Sequence, residues 1–245
     1  MRAEEEKGQQ SDRDHFMGVE AYPFEQALSN EKCYNGVLPR SLFVEVPLIN
    51  QQRTWDCGLA CILMVLRTLG IDDYNIQELG DLCCTTSIWT VDLAYLLQKF
   101  SVSFSYFTVL QEQLPNDLVR VDMLFQKAME AGIRIQCRSI SGEEISILIL
   151  TGNFVAIALV DQHKLSQSWH GDVCDSGFYS SSSGYTGHYV VICGYDAATD
   201  EFEIRDPASS RKHLKITSKR LEEAHKSFGT DEDLLLVTYT SFSSL

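Results

Sequence analysis

Apolar and polar positions divide the chain into three stretches of different texture. Residues 1 to about 40 are rich in Glu, Gln, Asp and Ser and poor in aliphatics, the composition of a flexible acidic arm. Helical periodicity dominates the second stretch. After an extended segment, Ser41 to Val46, closed by Pro47, the positions Leu59, Ile62, Leu63, Val65, Leu66 and Leu69 make the helix from Cys57 apolar around most of its circumference. Such a helix is buried, and Gly70 stops it. Further helices are expected over Ser87 to Phe100 and Asp117 to Glu130, the latter ended by Gly132.

From residue 133 the period shortens to that of strands. Ile133 to Cys137, Asn153 to Val160, His188 to Tyr195, Glu201 to Arg205 and Leu234 to Thr240 read as strands. Between them lie a capping-box helix start at Ser141 and Glu144, a Ser-rich loop from Ser166 to Gly184, and a helix from Ser218 to Phe228. A helical part followed by an antiparallel sheet is an α+β pattern, with one domain over 41–245.

The 245 residues are 44% hydrophobic, enough to bury a sizeable core. A net charge of −14 sets the chain against phosphate backbones and anionic membrane surfaces, though one local site can still hold a phosphate. No apolar run approaches the roughly 18 to 20 residues that span a bilayer, and Met1-Arg2-Ala3-Glu4-Glu5-Glu6-Lys7 does not open a secretory signal. Eight scattered cysteines without an export signal read as reduced thiols of the cytoplasm or nucleus. They form no Cys-x-x-Cys pair, which argues against zinc.

One cysteine stands apart. Cys57 heads the buried helix, whose N-terminal partial charge stabilises a thiolate. Asp56 precedes it as expected N-cap, and Gly58 follows as room for a substrate. Gln51, six residues earlier, is an amide donor suited to a tetrahedral oxyanion. His188 opens a strand whose hairpin partner runs into Asp206. With Asp196 placed opposite Asp200, Asp206 falls opposite Val190, on the same face as His188 and within diagonal reach. An Asp that orients an imidazole, paired with a thiol, is the arrangement of nucleophilic catalysis. Histidines 15, 163, 170, 213 and 225 read as loop or polar-face residues.

Gln51-x4-Asp56-Cys57-Gly58-Leu59-Ala60-Cys61, His188-Tyr189-Val190-Val191 and Asp206-Pro207 resemble the double-glycine leader peptidases of bacteriocin exporters, which are papain-like. That resemblance implies a papain-like fold, with Cys57 as nucleophile, His188 as base, Asp206 as its orienting partner and Gln51 in the oxyanion hole. A second resemblance covers nearly everything from residue 42 onward. Trp55 to Cys61, Ser87 to Leu96, Gly187 to Val191, Ile204 to Ser210 and Ser227 to Asp233 are similar to the eukaryotic guanylyl cyclase domain-containing family, most of all its plant members. It implies conversion of GTP to cyclic GMP and diphosphate with a divalent metal, Mg or Mn.

The residues themselves contain neither a Phe-x-Asp-Ile metal pattern nor a Gly-x4-Gly-Lys-Ser/Thr phosphate loop. Ser168-Trp169-His170 meets only the first three positions of a looser plant cyclase motif. Between Val109 and Gln113 the chain lacks a segment that the family carries. Three readings result: a cyclase acting on GTP; a thiol hydrolase or transferase acting on a peptide or other acyl substrate, which needs no cofactor; and a silent binding module on the same scaffold.

Overall fold

A computed structural model describes residues 38–109, 118–166 and 185–239. All lie in one compact unit, Asn35–Leu245. The expected acidic arm falls outside the described residues up to position 37, as do the Ser-rich loop from 167 to 184, including Ser168-Trp169-His170, and residues 110–113.

Helices and strands follow in the order β1 (Ser41–Phe43), α1 (Cys57–Thr68), α2 (Ile76–Cys83), α3 (Thr90–Lys99), β2 (Phe104–Thr108), α4 (Leu118–Glu130), β3 (Ile135–Cys137), α5 (Gly142–Leu150), β4 (Phe154–Asp161), α6 (Gln162–Ser166), β5 (Gly187–Asp196), β6 (Glu201–Arg205), β7 (Leu214–Thr217), α7 (Ser218–His225) and β8 (Leu234–Thr238). One sheet runs β3-β2-β8-β4-β5-β6-β7, with β1 pairing with β5. It is antiparallel except at β2–β3, whose parallel pairing departs from the wholly antiparallel sheet expected. No helix among the described residues is long and apolar enough to cross a membrane.

Period-two alternation divides the strands between two layers. Val155, Ile157, Tyr189, Val191, Leu235 and Val237 join the core built on α1 and α3. Ala158, Ile192 and Phe202 turn to the opposite side, where they meet Ile145 of α5 with Leu221 and His225 of α7. Every residue of α1 from Cys57 to Leu66 is buried, as its all-round apolar sequence requires. That burial fixes the start of the helix firmly against β5. Truncating Leu59, which is fully buried, would cost about 2–5 kcal/mol.

The long strand β5 places the site. Its first part pairs with β4, Val160 opposite His188, and its last part pairs with β1, Phe43 opposite Gly194. Gly194 is dictated by that second contact, because a Cβ there would come within 3.0 Å of the Leu42 carbonyl oxygen. On its other edge, β5 pairs with β6 through a register shift at Cys193. Asp196, Tyr195 and Gly194 face Glu201, Phe202 and Glu203, whereas Ile192 and Val191 face Ile204 and Arg205. The expected pairing of Asp196 with Asp200 is therefore one residue out at the turn. The extra residue at the bulge restores it before the strand reaches His188.

Candidate active site

The site is assembled by the start of α1, the start of β5 and the end of β6. Cys57 is the first residue of α1 and is buried. Asp56 stands at the N-cap position, but its side chain makes no cap hydrogen bond. Its fully buried carboxylate instead reaches back to accept from the backbone N–H of Gln52 at 3.1 Å and of Arg53 at 3.0 Å. Asp56 thus folds the 51–56 loop rather than capping the helix. Gly58 also differs from its expected role. A Cβ there would lie 3.0 Å from Leu93 Cδ1 and 3.1 Å from Tyr189 Cδ2, so the glycine serves helix packing and does not open space for substrate.

His188 is buried, and its Nε2 lies 2.7 Å from Asp206 Oδ1. The same carboxylate oxygen accepts the Ala208 N–H at 2.8 Å, which fixes the orientation of the acid. With Nε2 engaged, Nδ1 is the ring nitrogen left unbonded, and Cys57 lies near enough to raise the pKa of the ring. Burial alone would lower the imidazole pKa. The hydrogen bond to Asp206 and the nearness of Cys57, together with the charges of both, outweigh burial and raise it to about 9. At neutral pH the ring is therefore held as imidazolium beside the Asp206 carboxylate.

The loop that leads to Cys57 is fastened to the loop that follows Asp206. Asn50 Nδ2 donates to the carbonyls of Pro207 at 3.0 Å and Ser209 at 2.7 Å, and the Gln51 N–H donates to the Pro207 carbonyl at 3.0 Å. The Gln51 side chain gives one Nε2 hydrogen to the Arg53 carbonyl at 2.8 Å, and its Oε1 is buried without a partner. The amide thus keeps one N–H for an incoming group. Beside the loop, Arg53 and Trp55 face Gln77 and Asp81 of α2 across an open groove of about 610 Å³.

Supporting residues that sequence reading did not single out include Arg205, which is wholly buried next to Asp206. Its Nε donates to the Val46 carbonyl at 2.8 Å, its Nη1 pairs with Glu203 at 3.0 Å, and its guanidinium lies 5.0 Å from the Phe43 ring centre. Arg205 pins the end of β6 under the segment that leads to the loop. Behind Cys57, Thr90 and Tyr189 share a hydrogen bond of 2.9 Å, and Tyr106 donates to Asp233 at 3.1 Å. Burial, reinforced by the Asp231 charge, raises the Asp233 carboxyl to about 7 against the hydroxyls of Thr108, Thr90 and Tyr106. Among the remaining histidines His225 is not the polar-face residue expected. It is buried, its Nδ1 lies 3.0 Å from the Leu159 carbonyl, and burial lowers its pKa. Among the described residues, no group of three or more His, Cys, Asp and Glu side chains is arranged to hold a metal ion. The divalent metal of the cyclase reading has no ready-made ligand set there.

This α+β arrangement is the papain-like cysteine-peptidase fold. A solved C39-like peptidase of Bacillus anthracis superposes with a TM-score of 0.51 at 15% identity, covering 82% of this chain and 98% of the other. The sequence profile of the guanylylate cyclase family matches residues 46–237. Guanylyl cyclase 1 of Arabidopsis thaliana is 60% identical over 223 residues, which span 86% of this chain and 81% of the relative. The chain belongs to the guanylylate cyclase family.

Proposed function

We propose that this protein is a thiol-dependent acyl hydrolase or transferase acting through Cys57, His188 and Asp206. The observation that carries this reading is the 2.7 Å contact between Asp206 and the His188 ring, with Cys57, at the start of a buried helix, near enough to raise the pKa of that ring. In the first step the Cys57 sulfur, its proton already carried by the His188 ring, attacks the carbonyl carbon of a peptide or other acyl substrate; an S–C bond forms and the C=O π electrons move to the oxygen. The oxyanion takes hydrogen bonds from the free Gln51 N–H and from the amides that open α1. As the C–N or C–O bond breaks, His188 passes its proton to the leaving group. Water or an acceptor amine then attacks the thioester and gives its proton to His188, and Cys57 leaves. Asp206 keeps the ring oriented and stabilises its charged form.

Iodoacetamide labelling followed by peptide mass spectrometry tests the first step. Cys57 is expected to react faster than the other seven cysteines, and Cys57→Ala to abolish hydrolysis of p-nitrophenyl acetate above background. Labelling of Cys57 no faster than the rest would remove the basis of the proposal.

The 60% identity to a relative named guanylyl cyclase 1 favours a second reading, conversion of GTP to cyclic GMP and diphosphate. It requires purified protein to form cyclic GMP with Mg or Mn in step with its own elution from an ion-exchange column. Product eluting apart from the protein would sink this reading. Activity retained in Cys57→Ala would separate the cyclase from the thiol site.

A further inference from the structure

Three residues before His188, the Tyr185 ring occupies a slot formed by two glycines. A Cβ on Gly187 would lie 2.7 Å from the Tyr185 hydroxyl oxygen, and a Cβ on Gly229 would lie 2.8 Å from ring atom Cδ1. Neither glycine could carry a side chain without displacing this ring. Gly187 adjoins His188 and faces Asp161 across the β4–β5 ladder, so the slot holds the phenol at the His188 end of the sheet. Although fixed in this way, the side chain is 41% exposed, and its hydroxyl has no hydrogen-bond partner among the described residues. Buried neighbours behave otherwise, since the hydroxyls of Tyr106 and Tyr189 are both bonded within the protein. Partial burial of the ring and the charges of Asp231, Asp233, Asp161 and Cys57 keep the proton on the Tyr185 oxygen well above the ordinary range of a phenol. It is a neutral donor in a negative setting, suited to a neutral acceptor and unsuited to an anion.

We propose that Tyr185 is a substrate-binding residue of the Cys57 site. Its ring walls the site on the His188 side, and its hydroxyl donates to a backbone carbonyl of a peptide substrate beside the bond to be cut. This assignment rests on the thiol reading above and narrows its substrate class to peptides. The slot between Gly187 and Gly229 supplies the rigidity that makes one hydrogen bond selective.

Two alkylating probes test it, chloroacetamide and acetyl-alanyl-alanyl chloromethyl ketone, each used on the full chain with Cys57 adducts counted by mass spectrometry. Wild-type protein is expected to favour the peptidyl probe and to show saturation. Tyr185→Phe should lower the second-order rate for the peptidyl probe roughly three- to tenfold, the worth of one neutral hydrogen bond, through weaker saturation. Its rate with chloroacetamide should stay unchanged. Gly187→Ala, which displaces the ring without backbone strain, should reproduce the selective loss. Equal losses with both probes, no loss with either, or no wild-type preference for the peptidyl probe would each overturn the role of Tyr185 while leaving a reactive Cys57 in place. A Cys57 that reacts with chloroacetamide no faster than the other cysteines would overturn the thiol reading and this inference together.

Discussion

His188 carries the pH dependence of the site. Its folded pKa of about 9 lies above the 6.5 of the free side chain, so the folded state binds a proton that the unfolded chain releases. The stability this contributes is complete below pH 6.5 and is lost as pH rises through 9, on the order of 3 kcal/mol in full. Thermal melts between pH 7 and 9 should show Tm falling, with Asp206→Asn flattening that limb by removing the carboxylate that holds the proton. An unchanged slope in the variant would detach the titration from the His188–Asp206 pair. The acylation rate should fall over the same range, because the ring must be charged to protonate the leaving group. That His188 and Asp206 lie side by side followed from strand parity, and the place of Cys57 at the start of a buried helix from the apolar pattern. The seat of the Tyr185 ring was not legible, because it is formed by two glycines, one of them more than forty residues further on.

Among the elements, the 51–56 loop and the β5–β6 hairpin decide whether the site is aligned. Asp56→Ala would strip the loop of its carboxylate acceptor and free Gln51 from its place. A loss of about 1.5 to 3 kcal/mol in denaturant unfolding is expected, together with slower Cys57 labelling. Retention of wild-type labelling would show that Gln51 is held without Asp56. The hairpin shows how far an alternation argument reaches. Strand polarity and facing residues near His188 followed from sequence, whereas the bulge at Cys193 did not, because no residue type there marks it. Of the four elements that went unread, α2, β2, α6 and β7, the first two show different reasons. Helix α2 buries only Ile76 and Leu79, too few for an apolar stripe, although Asn75 and Glu78 form a capping box that marked its start. Strand β2 alternates weakly because Ser105, Tyr106, Phe107 and Thr108 are all buried between neighbours on both sides.

In the molecule as a whole, Asp233 is a buried acid with a titration of its own. Its carboxyl is raised from 3.8 to about 7, so the folded state favours the protonated form and loses stability as pH rises from about 4 through 7. Asp233→Asn should therefore melt higher than the parent at pH 8, by a margin that shrinks toward pH 4. A margin independent of pH would mean that the carboxyl does not titrate in the folded protein. The α+β class and the order of the site residues could be read from the chain. The packing that gives Asp233 its environment could not, since Tyr106, whose hydroxyl donates to its carboxylate, lies 127 residues away in the chain. The hydrogen bond from Asn50 to Pro207 joins positions 157 residues apart. Cys57 leaves the ribosome before His188 and Asp206 have been made, so under the proposed thiol mechanism a nascent chain holds the sulfur without the proposed base and acid.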